Sequence, residues 1–335
     1  MRYIGSKRRL LPFLDKCILD VVGDKLSHSV FCDIFAGTGV VGKHFKPITE
    51  KVISNDWEYY SYVLNRHYIG NMDRRQCPES VISCLDRIPP VSKGFMYRNY
   101  CPGNGSGRMF FTDYNGMKID TIRISIEKLK ESHIISDDTY YFLLCSLLES
   151  ADKVANTTSV YGSYLKYFTA TASEPMALAP ADFVSGCRSC EVYCCDSNDL
   201  VRRIEGDILY LDPPYNSRQY GANYHILNTI AEYKPFIPRG KTGLRDYARS
   251  SFCRKVEVKE KLDSIIRNAG FRYIFLSYNN EGLLQSSEIR RIMEKYGRYD
   301  VMKISYSRYK ADKNERRHYK SDSTEEYLHI LEKRG

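Results

Sequence analysis

Several features that define special classes of protein are missing from this sequence. No apolar run in its 335 residues reaches the roughly 18 residues that a membrane-spanning helix requires. The start, MRYIGSKRRLLPFL, becomes charged again too soon for a signal peptide. Internal repeats, low-complexity tracts and the His/Glu/Cys pattern of zinc deaminases are absent as well. We therefore expect no membrane partner and a cytoplasmic location.

Cysteine is plentiful, with 11 residues, but the lack of a secretion signal favours reduced thiols over disulfides. Cys187, Cys190, Cys194 and Cys195 have a spacing that invites a zinc interpretation. The last two are adjacent on a predicted strand, so their side chains point to opposite faces and do not easily bind one tetrahedral ion. Buried reduced thiols are therefore favoured, and no metal site is predicted.

The charge balance favours a polyanionic partner. The chain carries 50 Lys and Arg against 41 Asp and Glu, a formal net charge of +9. Its 28 tyrosines provide planar rings that suit base stacking beside basic side chains. Many basic proteins bind no nucleic acid, and tyrosines also pack in cores, so composition alone leaves both interpretations open.

Alternating strand and helix signals predict an α/β fold with a largely parallel sheet. Strands are predicted at 29–35, 51–56, 191–196, 207–212, 273–279, 301–307 and 325–331, the last two as an antiparallel pair joined by a basic loop. Helices are predicted from Val40 and at 57–69, 121–131, 138–154, 222–233 and 286–296. The pattern fades between about 73 and 187. We therefore predict one domain made of 1–72 and 188–335, interrupted by an insert at 73–187.

A glycine-rich turn follows the first predicted strand. Its sequence, GTGVVG (37–42), matches the dinucleotide-binding pattern, so a nicotinamide dehydrogenase is one interpretation. Asp33 ahead of this turn repels a pyrophosphate but suits a ligand with an ammonium group and no phosphate, such as S-adenosylmethionine. Asp56, after the second strand, is then placed to accept ribose hydroxyl groups; a helix N-cap before Trp57 is the other interpretation.

The stretch DILYLDPPY (207–215) places an acid and two prolines at a predicted strand end. Asp212 is predicted as the last strand residue, since Pro213 and Pro214 stiffen the chain that follows. Asp212 and the carbonyl of Pro213 are placed to accept the two N–H groups of an adenine amine and direct its lone pair at a methyl donor. Tyr215 is placed to stack on the base. A strand-end turn without catalytic function is the alternative.

In this order, these motifs resemble those of site-specific DNA adenine methyltransferases that modify the exocyclic N6, in the group with cofactor motif, recognition insert and then DPPY. DIFAGTG (33–39) resembles their D-x-F-x-G-x-G motif, DPPY (212–215) is similar to their catalytic motif, and YIGSK (3–7) resembles their N-terminal aromatic-x-G-[GS]-K signature. The resemblance covers nearly the whole chain. Two mild departures are a serine for the second glycine of G-G-K and a tyrosine where many relatives carry tryptophan.

The resemblance implies a Rossmann-like methyltransferase sheet with an inserted, mostly helical or irregular DNA-recognition region. It implies methyl transfer from S-adenosyl-L-methionine to adenine N6 in a short double-stranded DNA site by base flipping. It also implies a cognate restriction endonuclease of a type II restriction–modification system, without a stable complex. Lys7 is expected to pair with the methionine carboxylate and Asp196 to recognise the cofactor adenine. The implied cofactor-binding residues are Tyr3, Lys7, Asp33, Phe35, Gly37, Gly39, Asp56, Asp196 and Asp212.

Candidate DNA contacts lie mainly in three segments that interleave basic, aromatic and polar residues, at 93–116, 155–168 and 239–255. Tyr278 and Asn279 are further candidates, on a strand that resembles the one lining the target-base pocket. Together the candidates are Arg98, Arg108, Tyr161, Lys166, Arg218, Lys241, Arg245, Tyr278, Asn279, Arg308 and Lys310. A subdomain core with a solvated rim is the alternative explanation for many of the aromatic residues.

Three other functions remain open. An RNA base methyltransferase uses the same chemistry, although the long insert and the motif order favour DNA. A nicotinamide dehydrogenase uses the glycine turn but leaves Asp33 and DPPY without a role. A non-catalytic DNA-binding protein keeps the scaffold without the reaction.

Overall fold

The computed structural model describes residues 3–91, 93–307 and 323–334. They form two units, and we describe each by itself. The sheet unit comprises the described residues of Ser6–Trp57, Val184–Gln219 and Arg249–Gly335. The helical unit comprises those of Met1–Gly5, Glu58–Phe183 and Tyr220–Ala248.

The sheet unit is built on seven strands. They are β1 (Val30–Asp33), β2 (Lys51–Asn55), β3 (Ser189–Tyr193), β4 (Glu205–Leu211), β5 (Gly270–Asn279), β6 (Gly297–Ser307) and β7 (Ser323–Lys333). Their order in the sheet is β3-β2-β1-β4-β5-β7-β6. Strands β1 to β5 are parallel, and β7 is antiparallel to both of its neighbours. The predicted α/β sheet and the antiparallel pair are confirmed; the predicted basic loop lies outside the described residues.

The helices complete both units. In chain order they are α1 (Leu11–Val22), α2 (Val40–Phe45), α3 (Tyr59–Asn65), α4 (Glu79–Arg87), α5 (Phe95–Tyr100), α6 (Asp113–Glu131), α7 (Asp137–Lys153), α8 (Ala170–Ser173), α9 (Ser197–Leu200), α10 (Tyr220–Asn223), α11 (His225–Glu232), α12 (Val258–Asn268) and α13 (Ser286–Met293). All the predicted helices are present with shifted ends, whereas α1, α4, α5, α8, α9 and α12 were not predicted. For α1 the missed signal is Pro12 in the first turn, a position where its lack of an N–H group is harmless.

Side chains of the central strands alternate between two apolar faces. Cys32 of β1 and Leu209 of β4 lie in one buried core together with residues of α12 and α13. Phe31, Ile208 and Tyr210 face the opposite side and pack with residues of α1 and α2. Because helices cover both faces, the central strands carry apolar side chains on both faces. The register of each strand fixes the face at which its last side chain emerges.

Strands β1 and β4 lie side by side at the point where the winding of the sheet reverses. From β1 the chain continues to β2 on one side, and from β4 it continues to β5 on the other. In open α/β sheets such a switch point leaves a crevice beyond the carboxyl ends of the strands, and ligands bind there. The glycine turn after β1 and the DPPY segment after β4 are therefore neighbours.

The helical unit includes three segments that the sequence assigned to the catalytic domain: 1–5, 58–72 and 220–248. Polar contacts of the last two explain their difference from the predicted boundaries. The amide of Tyr60 in α3 donates a 2.9 Å hydrogen bond to Oδ1 of Asn228 in α11. The buried guanidinium of Arg123 in α6 donates to two carbonyl groups near the end of α11, at 3.0 and 3.1 Å. The segments 58–72 and 220–248 thus contact each other, and 220–248 contacts the insert.

Most aromatic residues of the segment 93–116 pack inside the helical unit. Tyr97, Tyr100, Phe110 and Phe111 are buried, and the hydroxyl group of Tyr100 donates to a backbone carbonyl at 2.8 Å. Tyr114 is exposed. The alternative explanation, a subdomain core with a solvated rim, is therefore confirmed for these four rings.

The cysteines of the proposed zinc pattern do not share a strand. Strand β3 ends at Tyr193, so the prediction that Cys194 and Cys195 lie on a strand was wrong. The prediction of buried thiols was wrong as well, since Cys194 is exposed and the other three cysteines are half-buried. Within the described part of the chain, no three His, Cys, Asp or Glu side chains are grouped as metal ligands. None of the helices described there has both the length and the apolar character that a membrane crossing requires.

We expect Asp120→Ala to destabilise the helical unit. The buried Asp120 carboxylate accepts hydrogen bonds from the backbone amides of Met96 and Tyr97, both at 2.9 Å, and from the hydroxyl group of Tyr233. Each buried donor that loses its partner costs about 1–3 kcal/mol. The free energy of unfolding measured in urea should fall by about 2–5 kcal/mol, whereas Lys128→Ala on the exposed side of α6 should leave it unchanged. Equal values for both variants would contradict the assignment.

Candidate active site at the carboxyl edge of the sheet

Three acidic side chains lie along the sheet face that packs on α1. On β1 the buried Phe31 is followed two residues later by Asp33, and on β4 the buried Tyr210 is followed two residues later by Asp212. On β7, Glu326 alternates with apolar residues of the same core. Because β7 runs antiparallel to β5, Glu326 near its beginning lies at the edge where the parallel strands end. Sheet topology thus gathers three carboxyl groups from distant parts of the chain.

Asp212 directly follows β4, which ends at Leu211, so the prediction that it is the last strand residue was wrong by one position. Pro213, which has no N–H group to donate to a ladder, stops the pairing here. Pro213 is buried and Pro214 is half-buried. The carboxyl group of Asp212 therefore lies on a stiff segment just beyond the sheet.

The glycine turn after β1 is held by an acid from the neighbouring strand end. Gly37 and Gly39 have φ angles of 52° and 73°, in the left-handed region that glycine adopts without strain. The amide of Gly37 donates a 2.8 Å hydrogen bond to Oδ2 of Asp56. Helix α3 begins at Tyr59 with Glu58 at its N-cap, so the interpretation of Asp56 as that cap was wrong. Asp56 instead shapes the turn.

Asp33 is a buried acid with an unsatisfied oxygen. The residue is 2% exposed, and its Oδ1 has no hydrogen-bond partner among the described residues. Burial, followed by the charges of Asp212 and Asp56, raises its pKa well above the ordinary value, although backbone amides lower it in part. A buried carboxylate without a cation is costly, so this site favours a positively charged ligand group.

Lys7 lies between two acidic side chains. Its Nζ is 2.8 Å from Oδ1 of Asp212 and 3.1 Å from Oε1 of Glu326, and it lies 5.6 Å from the centre of the Tyr215 ring. The side chains of Lys7 and Glu326 are 5% and 2% exposed, whereas that of Asp212 is 17% exposed. One cation thus neutralises part of the charge of two anions in a mostly dry environment.

This arrangement shifts the pKa values of the cluster. Burial by itself lowers the pKa of Lys7, but the carboxylates of Asp212 and Glu326 outweigh burial and raise it well above its ordinary value. Burial raises the pKa of Asp212 to about 6; Lys7 lowers it, and Glu326 raises it further. Lys7 is therefore a cation at neutral pH, and Asp212 loses its proton only as the pH rises through about 6.

Tyr215 packs against Tyr278 at the end of β5 and against the segment that follows this strand. Its carbonyl accepts a 2.9 Å hydrogen bond from the amide of Leu283, and its ring meets that of Tyr278 edge-on at 6.2 Å between centroids. Tyr278 is buried, and its hydroxyl group accepts a hydrogen bond from the amide of Leu284 at 3.3 Å. Two contacts thus fix the orientation of the Tyr215 ring, which is itself half-buried.

The remaining predicted cofactor residues are Phe35, Asp196 and Tyr3. Phe35 is half-buried beside the glycine turn. Asp196 is exposed and caps α9, accepting a hydrogen bond from the amide of Asn198 at 2.7 Å. Tyr3 belongs to the helical unit, where its ring stacks on that of Tyr224 at 4.7 Å. Their cofactor roles stay predictions.

Two residues that contribute to this edge were not predicted from the sequence. Asn55, 1% exposed, donates to the carbonyl groups of Ile34 and Cys195 and so connects the turn after β1 to the segment after β3. Glu326 is the other. Its signal is the alternation with Leu328, which places an acid on an otherwise apolar face of β7. The register needed to locate it at this edge is not readable from the sequence.

Four of the candidate DNA-contacting cations are exposed. In the helical unit these are Arg98, Lys166 and Lys241, and in the sheet unit it is Arg218. Arg308 and Lys310 lie outside the described residues. The exposed positions agree with the predicted DNA contacts, which stay predictions.

Two further candidates hold the helical unit together. The guanidinium of Arg108 donates to the carbonyl groups of Asn99, Gly240 and Lys241 at 2.9, 3.1 and 3.2 Å. Arg245 forms a half-buried ion pair with Glu232 at 2.8 Å. Their donors are engaged inside the protein, which argues against the predicted DNA contacts of Arg108 and Arg245.

Three polar candidates are buried. Tyr161 is fully buried and its hydroxyl group donates to Asp152 at 2.8 Å. Tyr278 supports Tyr215, and Asn279, 7% exposed, accepts a hydrogen bond from the amide of Glu281. Burial argues against direct DNA contact by Tyr161, and it places Tyr278 behind the candidate site instead of at its surface.

Known proteins resemble this chain over nearly its whole length. A sequence profile described as D12 class N6 adenine-specific DNA methyltransferase matches residues 3–292. Type II methyltransferase M.NlaIII from Neisseria lactamica is 54% identical over 333 residues, 99% of each chain. Type II methyltransferase M.CviAII from Paramecium bursaria Chlorella virus 1 is 39% identical over 98% of this chain and 97% of its own. Type II methyltransferase M.FokI from Planomicrobium okeanokoites is 36% identical over 99% of this chain but 53% of its own.

We expect Arg108→Ala to loosen the segment around 239–244 and not to act by removing a DNA contact. Losing three hydrogen bonds to carbonyl groups should lower the free energy of unfolding by about 1–3 kcal/mol, measured in urea. The exposed Lys241→Ala is the matched control and should leave stability unchanged. If both variants were as stable as the parent and weakened DNA binding equally, Arg108 would be a surface contact.

Proposed function

The chain belongs to the D12 class N6 adenine-specific DNA methyltransferase family and uses S-adenosylmethionine as its methyl donor, and from this premise we propose that it is a site-specific modification enzyme. It methylates one adenine within a short duplex site and protects that site from a restriction endonuclease in the same cytoplasm. Two relatives that match this chain over nearly their full length are named type II methyltransferases, which supports this proposal.

One observation carries the proposed chemistry: the carboxyl group of Asp212 lies on a stiff segment beside the glycine turn of the neighbouring strand. The lone pair of the adenine amine is delocalised into the ring, so the amine is a poor nucleophile. Asp212 and the carbonyl of Pro213 accept its two N–H groups and draw the nitrogen out of the ring plane. The carboxylate also stabilises the positive charge that develops on nitrogen during transfer.

The methyl donor supplies an electrophilic methyl group on sulfur. The residues after β1 fit its amino-acid part, because Asp33 keeps a buried oxygen without a hydrogen-bond partner among the described residues, and an ammonium group satisfies it. Asp56, which already accepts a hydrogen bond from Gly37, is next to the place proposed for the ribose. Lys7 is engaged with Asp212 and Glu326, so we assign it to the catalytic carboxyl group and not to the methionine carboxylate.

The target adenine has to leave the base stack before its amine reaches Asp212, since N6 lies inside the major groove. The ring of Tyr215, fixed by Tyr278 and by the amide of Leu283, offers a flat surface for the extruded base. We propose that the insert at 73–187 reads the DNA, with the exposed Arg98 and Lys166 near phosphates.

Asp212→Ala should abolish methyl transfer. Without the carboxylate the amine is neither oriented nor stabilised as it becomes positive, and the rate should fall by at least about 100-fold. The measurement is incorporation of labelled methyl groups into duplex DNA and into RNA, followed by sequencing that locates N6-methyladenine in DNA from cells that express the protein.

The exposed Asp199→Ala in the same unit is the matched control and should retain full activity. A single short motif carrying N6-methyladenine is the expected product. Methyl groups found only in RNA, or full activity of the Asp212 variant, would overturn the proposal.

Asp33→Asn should weaken binding of S-adenosylmethionine. Loss of the charge-assisted contact to its ammonium group should raise the dissociation constant by about 10- to 100-fold, measured by calorimetry. The same change removes a buried charge without a cation, so the unliganded variant should melt at a higher temperature than the parent.

Methylthioadenosine, which lacks the amino-acid part, is the control ligand for this variant. Its affinity should be the same for parent and variant. Equal loss of affinity for both ligands would mean that Asp33 shapes the turn and does not bind the ammonium group.

A further inference from the structure

Glu326 is a buried acid that the proposed chemistry has not used. It is 1% exposed, on the strand β7 next to the end of β5, where it pairs with Asn279 in the ladder. A carboxylate buried to this extent destabilises a fold unless a cation neutralises it. Its cation is Lys7, at 3.1 Å, and Lys7 in turn lies 2.8 Å from Asp212.

The two oxygens of Asp212 differ in their surroundings. Oδ1, the oxygen that faces Lys7, is buried, although the side chain as a whole keeps 17% of its surface exposed. An ammonium group fixed at Oδ1 sets the rotation of the carboxyl group and leaves the second oxygen for another donor. The position of that ammonium group depends on Glu326, since the lysine stem has several rotatable bonds and the ring of Tyr215 offers it only a weak contact at 5.6 Å.

We infer that Glu326 is a positioning residue for methyl transfer: it holds the Lys7 ammonium group against Oδ1 of Asp212, so that the other carboxylate oxygen is oriented toward the amine of the target adenine. The inference rests on the role proposed above for Asp212. Glu326 touches neither the base nor the methyl donor in this assignment and acts only through Lys7.

The charge of the cluster supports this role. Lys7, Asp212 and Glu326 sum to one negative charge when all three are ionised, and this charge is next to the place where the amine nitrogen becomes positive. In a site of low dielectric such a charge is felt strongly. A neutral residue at 326 leaves the ion pair of Lys7 and Asp212 with no net charge.

The pH dependence separates positioning from simple structural support. Asp212 must be ionised to accept the hydrogen bond from the amine and to stabilise the positive charge on nitrogen, so the transfer rate should rise with pH through its pKa of about 6. Lys7 lowers this pKa, and Glu326 raises it; Asp33 from β1 and the Tyr210 hydroxyl from β4 also interact with Asp212. Removing the charge of Glu326 therefore moves the rise in rate to lower pH, even where the maximal rate is smaller.

The experiment measures the single-turnover rate of methyl transfer to duplex DNA against pH. For Glu326→Gln we expect a maximal rate about 10- to 100-fold below that of the parent, because the Asp212 carboxyl group is less well oriented. The midpoint of the rise with pH should move below that of the parent. The affinity for S-adenosylmethionine should not change, since that ligand is assigned to Asp33.

Three variants complete the test. Glu325→Gln is the matched control on the same strand, where the carboxyl group accepts a hydrogen bond only from Tyr327 among the described residues, and it should behave as the parent. Glu326→Asp keeps the charge and should restore part of the rate with the parent midpoint. In a Lys7→Met background, Glu326→Gln should cause no further loss, because the residue acts through Lys7.

An unchanged rate and midpoint in Glu326→Gln would overturn the inference. A slower rate with the same midpoint as the parent would also overturn it. So would a loss of rate in the Lys7→Met background as large as the loss in the parent background. Each of these results is expected if Glu326 only supports the structure. Failure of the proposed function is recognised separately, because Asp212→Ala would then retain activity whatever Glu326 does.

Discussion

The reversal of winding between β1 and β4 is the constraint on which the site depends. Because the chain leaves these neighbouring strands in opposite directions, their carboxyl ends flank the kind of crevice in which open α/β sheets bind ligands. Asp33 and Asp212 meet there although the helical unit interrupts the sequence between them. Strand β7 runs antiparallel to β5 and therefore begins at the edge where β5 ends. Glu326 therefore reaches the edge from the start of its strand.

This gathering of acids is electrostatically unfavourable in the unliganded protein. Asp212 and Glu326 share one buried cation, Lys7, whereas Asp33 has none, and the burial and mutual repulsion of the acids raise the pKa values of Asp33 and Asp212. Such a site destabilises the fold slightly and binds positive charge well. Both partners of the proposed reaction bring positive charge: the methyl donor carries an ammonium and a sulfonium group, and the amine becomes positive during transfer. The same repulsion that costs stability thus favours ligand binding and the transition state.

The sequence predicted the sheet, the glycine turn and the Asp212 segment because local rules govern them: alternation for strands, glycine for positive φ, proline for the strand end. It did not predict Glu326, whose position depends on the register of an antiparallel pair formed late in the chain. The burial of Tyr161 was missed for a similar reason, since residue type does not determine which side of a helical unit a loop faces. Contacts between segments that are distant in the sequence determine where Glu326 and Tyr161 lie.

Formal charge is a weak guide to where this protein meets DNA. In the helical unit Arg123 and Arg108 donate to backbone carbonyl groups, and the buried Lys118 donates to the carbonyl groups at the end of α4. Each counts toward the net charge of +9, yet its donors satisfy the protein's own backbone and are not available to phosphate oxygens. Phosphate contact requires a cation with exposed donors that the protein's own backbone does not occupy. The exposed Lys166 and Lys241 are therefore better candidates for DNA contact than Arg108. This holds although arginine is the residue that base and phosphate recognition most often uses.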